Sequence, residues 1–299
     1  MTRQKRNPGE GALLTRTRSL LRRAGLRARK GLGQHFLIDE KALESIVTAA
    51  QLTPADTVIE IGPGLGVLTA ELAGRAGHVL AIELDDRLAT LLGQTLSSFH
   101  NITVINEDVL EIDPAALLRE HSRPEENGHL NYKVVANLPY YITSPVLRHF
   151  LEASVKPQLM VVMVQKEVAE QIAAQPGKMS LLSVSVQLYG EAEIVGYVPA
   201  SSFYPVPEVA SAVLKVTLYS SPAAGVTDTE GFFSLVRAGF TAGRKQLANS
   251  LSRGLRVSKS ETLRLLAESD IDPQRRAETL TLEEWARLWR VSTRGERRC

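Results

Sequence analysis

From residue 57 onward, short apolar runs alternate with stretches in which apolar positions recur every three or four residues. The runs at 58–62, 79–84, 102–106, 133–137, 159–165, 193–198 and 211–218 predict strands, and the longer period predicts helices at 67–76, 86–96, 114–120, 144–153 and 167–188. Most runs are continuous in Val, Ile and Leu instead of alternating with polar residues, the mark of strands covered on both faces. The alternating order therefore predicts an α/β fold, a doubly wound and mainly parallel sheet of seven strands with right-handed crossovers. No helix separates the last two strands, which allows the final one to run antiparallel.

The flanks read differently. Residues 1–16 show no periodicity and are expected to be disordered, whereas 19–28 carry leucines at 20, 21 and 26 among arginines and predict a short basic amphipathic helix. GLGQHFLID at 31–39 leads into a helix over 39–50 that Asp39 can cap. Residues 122–131 form a polar surface loop, 220–231 a linker rich in Ser, Pro, Ala and Gly, and 232–291 show helical periodicity only. The chain thus divides into three parts: a basic extension with a short helix at 1–30, an α/β domain at 31–220 and a small all-α domain at 230–293. No internal repeat is visible.

Composition narrows the function. A chain of 299 residues with 44% hydrophobic and 23% charged residues is an ordinary globular protein. The single cysteine, Cys299, is terminal, which excludes disulfides and thiolate metal sites and favours a reducing, cytoplasmic setting. The six histidines show no paired spacing on a predicted helix, so no metal site is assigned, and no apolar run approaches the roughly 20 residues of a membrane span. The net charge of +2 conceals a division: residues 1–30 hold ten Lys/Arg and one acid (+9), 31–214 hold ten and 22 (−12), and 215–299 hold fifteen and ten (+5). An acidic middle between basic ends suggests a catalytic body with flanks that grip a polyanion. The Arg-rich start also has the character of a mitochondrial transit peptide, but no small-residue cleavage pattern accompanies it.

The chemistry centres on Val58, Ile59, Glu60, Ile61, Gly62, Pro63, Gly64, Leu65 and Gly66. This is a buried strand breaking into a glycine loop before a helix, the ligand-binding edge of open α/β sheets. The spacing is G-x-G-x-G, with Val67 where a dinucleotide fingerprint places its third glycine. Pro63 removes an amide donor, and Glu60 beside the loop would repel a pyrophosphate while suiting a cationic nucleoside cofactor such as S-adenosylmethionine. Glu83 ends the second strand, where an acid can accept both hydroxyls of a ribose; Asp85 would point the same way further out and Asp86 would open the next helix. At the end of the third strand Asp108 is the candidate to accept from an adenine amine, with Glu107 facing away.

Asn137, Leu138, Pro139 and Tyr140 close the fourth strand. An aromatic amine is a poor nucleophile because its lone pair is delocalised, so alkylating it requires acceptors for both amine hydrogens. A side-chain amide oxygen and a backbone carbonyl fixed before a proline supply them, and a neighbouring tyrosine can stack on the base. The alternative is a strand-ending turn with a core tyrosine.

Taken in order, GQHFL, EIGPGLG, IELD, EDV, NLPYYI, QKEVAEQI, FYPVPEVASAVL and FTAGRKQLANSL closely resemble the ribosomal RNA adenine dimethyltransferases, specifically the bacterial small-subunit type, from about residue 17 to 292. The resemblance implies a Rossmann-like class I methyltransferase fold with a C-terminal helical RNA-binding domain. It also implies transfer of two methyls from S-adenosylmethionine to each of two adjacent adenosines near the 3′ end of 16S rRNA in the small ribosomal subunit, with a role in ribosome biogenesis and action as a monomer. By this likeness His35 and Leu37 contact the cofactor, Gly62 lies against its methionine part, Glu83 holds the ribose and Asp108 meets the adenine. Asn137 lies between cofactor and target amine, and Phe203 stacks on the base opposite Tyr140; from its residues alone, Phe203 in a Pro-rich loop reads equally as packing. The chemistry expected is direct in-line transfer without a general base.

Two departures stand out. His35 replaces an asparagine common in the family, making that contact pH-sensitive, and PGKMSLL at 176–182 is a shorter connection than usual. Residues 237–256 hold Arg237, Arg244, Lys245, Arg253 and Arg256 with no acid and read as one helix anchored by Phe240, Leu247 and Leu251. Competing readings are a large-subunit rRNA methylase of the macrolide-resistance type, a largely non-catalytic assembly or transcription factor, and a nicotinamide oxidoreductase, the last disfavoured by the glycine spacing and Glu60.

Overall fold

The computed structural model describes residues 11–29, 33–121 and 130–296. The disorder expected of the first ten residues, most of the polar loop expected at 122–131 and the terminal Cys299 lie outside the described residues.

α1 (Ala12–Arg23) starts earlier and stops sooner than the helix expected at 19–28. Thr17 and Leu21 form its buried stripe, and the helix itself takes in residues 12–16, which the sequence reading expects to be disordered. A Schellman turn ends it: Gly25 adopts φ +62°, the Leu26 N–H donates to the Leu21 carbonyl at 2.8 Å and the Gly25 N–H to that of Arg22 at 3.1 Å. The two-residue strand β1 (Phe36–Leu37) then precedes α2 (Glu40–Ala49), capped by the Asp39 carboxylate, which accepts from the N–H groups of Lys41 and Ala42.

The βα series runs as β2 (Thr57–Ile61), α3 (Val67–Ala73), β3 (His78–Ile82), α4 (Asp86–Thr95), β4 (Ile102–Ile105), α5 (Pro114–His121), β5 (Lys133–Asn137), α6 (Thr143–Glu152) and β6 (Leu159–Gln165). In place of one helix over 167–188 there are two, α7 (Lys166–Ile172) and α8 (Leu181–Gln187). Pro176 cannot continue a helix, Gly177 turns with φ +106°, and the Ser180 hydroxyl restarts the helix by accepting from the Ser183 N–H. β7 (Gly190–Val198), β8 (Phe203–Tyr204) and β9 (Ser211–Leu218) complete the strands.

Seven strands form one sheet in the order β4-β3-β2-β5-β6-β9-β7. The five from β4 to β6 are parallel, and β9 runs antiparallel to β6, as the missing crossover allows. The sheet order reverses between β2 and β5, the switch point at which open sheets carry their ligands. β1 and β8 pair antiparallel as a separate ribbon, Leu37 opposite Phe203. Val58, Val79, Val135, Val161 and Met163 of the sheet pack with Ile46, Val47, Leu68 and Leu72 in the main core.

The chain divides into two compact units, residues 1–169 with 193–217 and residues 170–192 with 218–299. Residues 170–192, read from the sequence as part of a 31–220 domain, thus group with the C-terminal helices. That unit holds α9 (Thr229–Phe240), α10 (Leu247–Leu255), α11 (Lys259–Glu268) and α12 (Leu282–Glu296). α9 and α10 approach so closely that a Cβ on Gly254 would lie 2.5 Å from the Ala238 Cα. The basic segment 237–256 is therefore two helices joined by a turn through Gly243, not one. Leu247 and Leu251 are fully buried, and the Phe240 ring packs 5.8 Å from that of Trp285.

Candidate active site

Sheet register assembles the site before any side chain is considered. Ile61 pairs with Ile82 on one side and Ala136 on the other, so the next residues, Gly62, Glu83 and Asn137, lie abreast at the carboxyl ends of three neighbouring strands. Strands lie about 4.8 Å apart, which sets the width of the site. Glu60 pairs with both Ala81 and Val135. The period of two along a strand then puts Glu60, Glu83 and Asn137 toward one face of the sheet.

A cavity of about 180 Å³ opens there. Its lining includes His35, Leu37, Gly62, Glu83, Asp108, Asn137, Leu138, Pro139, Tyr140 and Phe203, so the residues assigned to the cofactor and to the target base share one hollow. The short β1–β8 ribbon draws in the two distant contributors, Leu37 and Phe203. Phe203 is only 1% exposed and belongs to the core, so packing and cavity lining are both true of it.

The glycine loop turns through left-handed backbone at Gly62 (φ +64°) and Gly64 (φ +59°). A Cβ on Gly64 would stand 3.2 Å from the Phe36 ring, so this loop also leaves little room for a side chain. Glu83 locks it: one carboxylate oxygen accepts from the Gly64 N–H at 3.1 Å and the other from the Asp85 N–H at 2.9 Å. Burial pushes the Glu83 carboxyl up and these two backbone donors oppose the shift. Each oxygen keeps a lone pair for a vicinal diol. Asp85 turns away from the cavity to cap α4 through the Arg87 N–H and to meet Gln34 Nε2 at 3.2 Å and Arg29 at 3.4 Å. Asp86 is the first residue of α4, and Asp108 lines the cavity together with its neighbour Glu107.

Asn137 donates through Nδ2 to the His35 carbonyl at 3.2 Å. A carbonyl can only accept, so this bond fixes the amide orientation and leaves Oδ1 as an acceptor. The Leu138 N–H donates to the Met163 carbonyl, which orients the Leu138–Pro139 peptide. The Tyr140 hydroxyl shares a 2.8 Å hydrogen bond with Ser211 Oγ, and its ring lies nearly parallel to that of His35 at 6.0 Å. His35 Nδ1 carries the proton it donates to the Pro205 carbonyl at 2.7 Å. The exposed Tyr141, together with Phe36 and Gln34, also lines the cavity. Sequence reasoning assigned these three no role; for Tyr141 the repeated tyrosine of NLPYY was the available signal.

Glu60 corrects the picture of a standing negative charge beside the loop. It is 1% exposed in the sheet interior, and neither its Oε2 nor the buried Thr69 hydroxyl has a hydrogen-bond partner among the described residues. Desolvation drives its carboxyl from 4.5 to about 8; the Glu83 charge adds to this and the nearby Thr69 hydroxyl opposes it. The unfolded chain releases this proton above about pH 4.5, whereas the folded protein holds it until about pH 8. Native Glu60 therefore costs stability that grows across this window and stays constant above it. Glu60→Gln should show a Tm advantage over the wild type that increases from pH 4.5 to 8; an equal difference at both ends, in thermal melts, would contradict the assignment.

The profile described as ribosomal RNA adenine dimethylase matches residues 25–290. The chain belongs to this family. Ribosomal RNA small subunit methyltransferase A of Dehalococcoides mccartyi strain 195 is 51% identical over 95% of both chains, and that of Enterococcus faecalis is 44% identical over 93% of this chain and 95% of its own. Among solved structures, the 23S rRNA methyltransferase ErmE is 31% identical with a TM-score of 0.68, covering 86% of this chain and 98% of its own. A Plasmodium falciparum dimethyladenosine transferase superposes with a TM-score of 0.72 over 87% of this chain and 98% of its own, at 24% identity. This adenine dimethylase is a methyltransferase whose methyl donor is S-adenosylmethionine. The residues fit that donor: two glycines in left-handed backbone leave the loop open, and the Glu83 carboxylate is pre-aligned for a diol.

Proposed function

We propose that this protein dimethylates the exocyclic amines of two adjacent adenosines near the 3′ end of small-subunit rRNA, acting as a monomer in the cytoplasm during ribosome biogenesis. The observation that carries the reading is the register-fixed line of Gly62, Glu83 and Asn137 at the switch point. The small-subunit target is favoured because relatives bearing that name reach 51% identity, against 31% for the 23S enzyme.

In this reading His35 and Leu37 contact the cofactor, Gly62 lies against its methionine part, Glu83 accepts from the ribose and Asp108 from the adenine amine. When bound, S-adenosylmethionine supplies an electrophilic methyl group on a sulfonium sulfur. Asn137 Oδ1 accepts one hydrogen of the target amine and the Leu138 carbonyl the other, favouring a pyramidal nitrogen with a localised lone pair. Tyr140 holds the base flat, and Phe203 meets it from the core side. With labelled cofactor and undermethylated small subunits, mass mapping should find two neighbouring dimethyladenosines near the 3′ end. Label in large-subunit RNA alone, or none, would refute the proposal.

The helical unit is read as the phosphate grip. Arg237, Arg244, Lys245, Arg253 and Arg256 are exposed and make no ion pair among the described residues. Reversing charge at Arg244 and Lys245 should weaken RNA binding and reduce the slope of log affinity against log salt by about two, one per lost phosphate contact. Filter-binding titrations with an unchanged slope would remove this role.

A further inference from the structure

One large ring of the cavity wall takes no part in the proposed chemistry. Tyr141 lines the hollow yet is 55% exposed, and among the described residues the only other exposed large apolar side chain in that lining is Leu84 (51%), which directly follows Glu83. Apolar wall left in water inside a ligand cavity is surface that a bound ligand covers.

The turn that ends β5 sends its two tyrosines to different sides. Tyr140–Ile142 form a single 3-10 turn after Pro139, in which successive residues stand about 120° apart. Tyr140 reaches Ser211 and lies beside the His35 ring. Tyr141 instead packs on Gly33, where an added Cβ would lie 3.4 Å from two of its ring carbons, so bare backbone at φ +60° supports the ring. Partial burial pushes the Tyr141 phenol up, and the Asp108 and Glu83 carboxylates facing it add to the shift. Those two acids, from the ends of β4 and β3, are the residues read as meeting the adenine and the ribose. Tyr140 thus serves the end of the cavity that takes the target base, and Tyr141 the end that takes the adenosine of the cofactor.

Adenosine offers a polar edge, a ribose diol and two flat faces. Asp108 and Glu83 serve the edge and the diol, and neither carboxylate covers a face. An aromatic ring does, through area burial and offset stacking.

We infer that Tyr141 is the face-covering wall of the adenosine end, its ring packing on the adenine of the bound cofactor and keeping water from the Glu83 and Asp108 contacts. The inference rests on the proposed reading of Glu83 and Asp108 as the holders of ribose and adenine. Hydrogen bonds to these carboxylates are stronger in a dry, low-dielectric site, so the ring adds to affinity beyond its own contact.

The test uses the full chain in calorimetric titrations with S-adenosylhomocysteine and with 5′-methylthioadenosine, which keeps the adenosine and lacks the amino-acid end. Tyr141→Ala should raise both dissociation constants by the same factor, about 5- to 150-fold, the range for losing one base stacked on an aromatic ring. Tyr141→Phe should bind both as the wild type does, and filter binding of a 3′-end RNA without cofactor should change in neither variant. In the wild type, saturating S-adenosylhomocysteine should suppress nitration of Tyr141 by tetranitromethane while the exposed Tyr219 stays reactive, a comparison that needs no variant to fold. Wild-type affinity for both ligands in Tyr141→Ala, a loss confined to S-adenosylhomocysteine, a loss of RNA affinity in its place, or nitration of Tyr141 that the ligand does not slow would overturn the inference. Normal binding of both ligands by Glu83→Ala would instead strike the reading of the adenosine end on which it rests.

Discussion

Replacing Asn137 by alanine should lower methyl transfer about 10²- to 10³-fold or more, the usual cost of deleting one pre-aligned polar group at a reacting centre. The side chain is tied through Nδ2 to the His35 carbonyl, so its Oδ1 is already aimed and needs no rearrangement when a base arrives. Alanine removes the acceptor and leaves the glycine loop and Glu83 untouched, so cofactor affinity should stay within a few-fold. Asn137→Asp separates the two functions of the amide: it keeps an acceptor but cannot donate to the His35 carbonyl, and it should be nearly as inactive. Single-turnover transfer measured beside calorimetric cofactor binding checks this. Near-normal turnover in Asn137→Ala would remove the residue from the chemistry.

A second large effect is expected at Glu83. Its two oxygens hold the Gly64 and Asp85 N–H groups, and Asn106 Nδ2 in turn holds the Glu83 carbonyl at 2.9 Å. Alanine here would orphan two backbone donors, loosen the loop and delete the diol acceptor together. Losing a charge-assisted pair of hydrogen bonds is worth roughly 3 kcal/mol or more, so the cofactor dissociation constant should rise by at least about a hundredfold. Glu83→Gln retains the shape but turns an amide N–H toward a backbone donor, and should fall between the two. Calorimetric titration giving wild-type affinity for Glu83→Ala would show that the ribose is held elsewhere.

The central strands were legible because strands buried on both faces must be apolar throughout and end where polarity returns, as at Glu83 and Asn137. Alternation and order then suffice to bring these ends to one rim. What could not be read depends on contacts distant in sequence. β1 and β8 are two residues each, too short for a periodic signal, yet their pairing is what carries Leu37 and Phe203 to the cavity. Protonation of Glu60 follows from its complete burial, a property of the assembled sheet and not of the residue type. Asp85 points elsewhere than expected because strand alternation ends before it, where helix capping takes over. The helix expected over 167–188 and the single basic helix over 237–256 both failed at local breakers, Pro176 with Gly177 and the turn at Gly243, whose effect the surrounding periodicity masked.

One measurement reaches the central claim, that a single cavity joins methyl donor and adenine. A crystal structure of the protein with a non-transferable cofactor analogue and adenosine monophosphate should place the ribose hydroxyls against the Glu83 carboxylate and the adenine amine within about 3 Å of Asn137 Oδ1, near-attack range. Adenine bound at any site from which its amine cannot reach Asn137, with the analogue still at Glu83, would contradict the account.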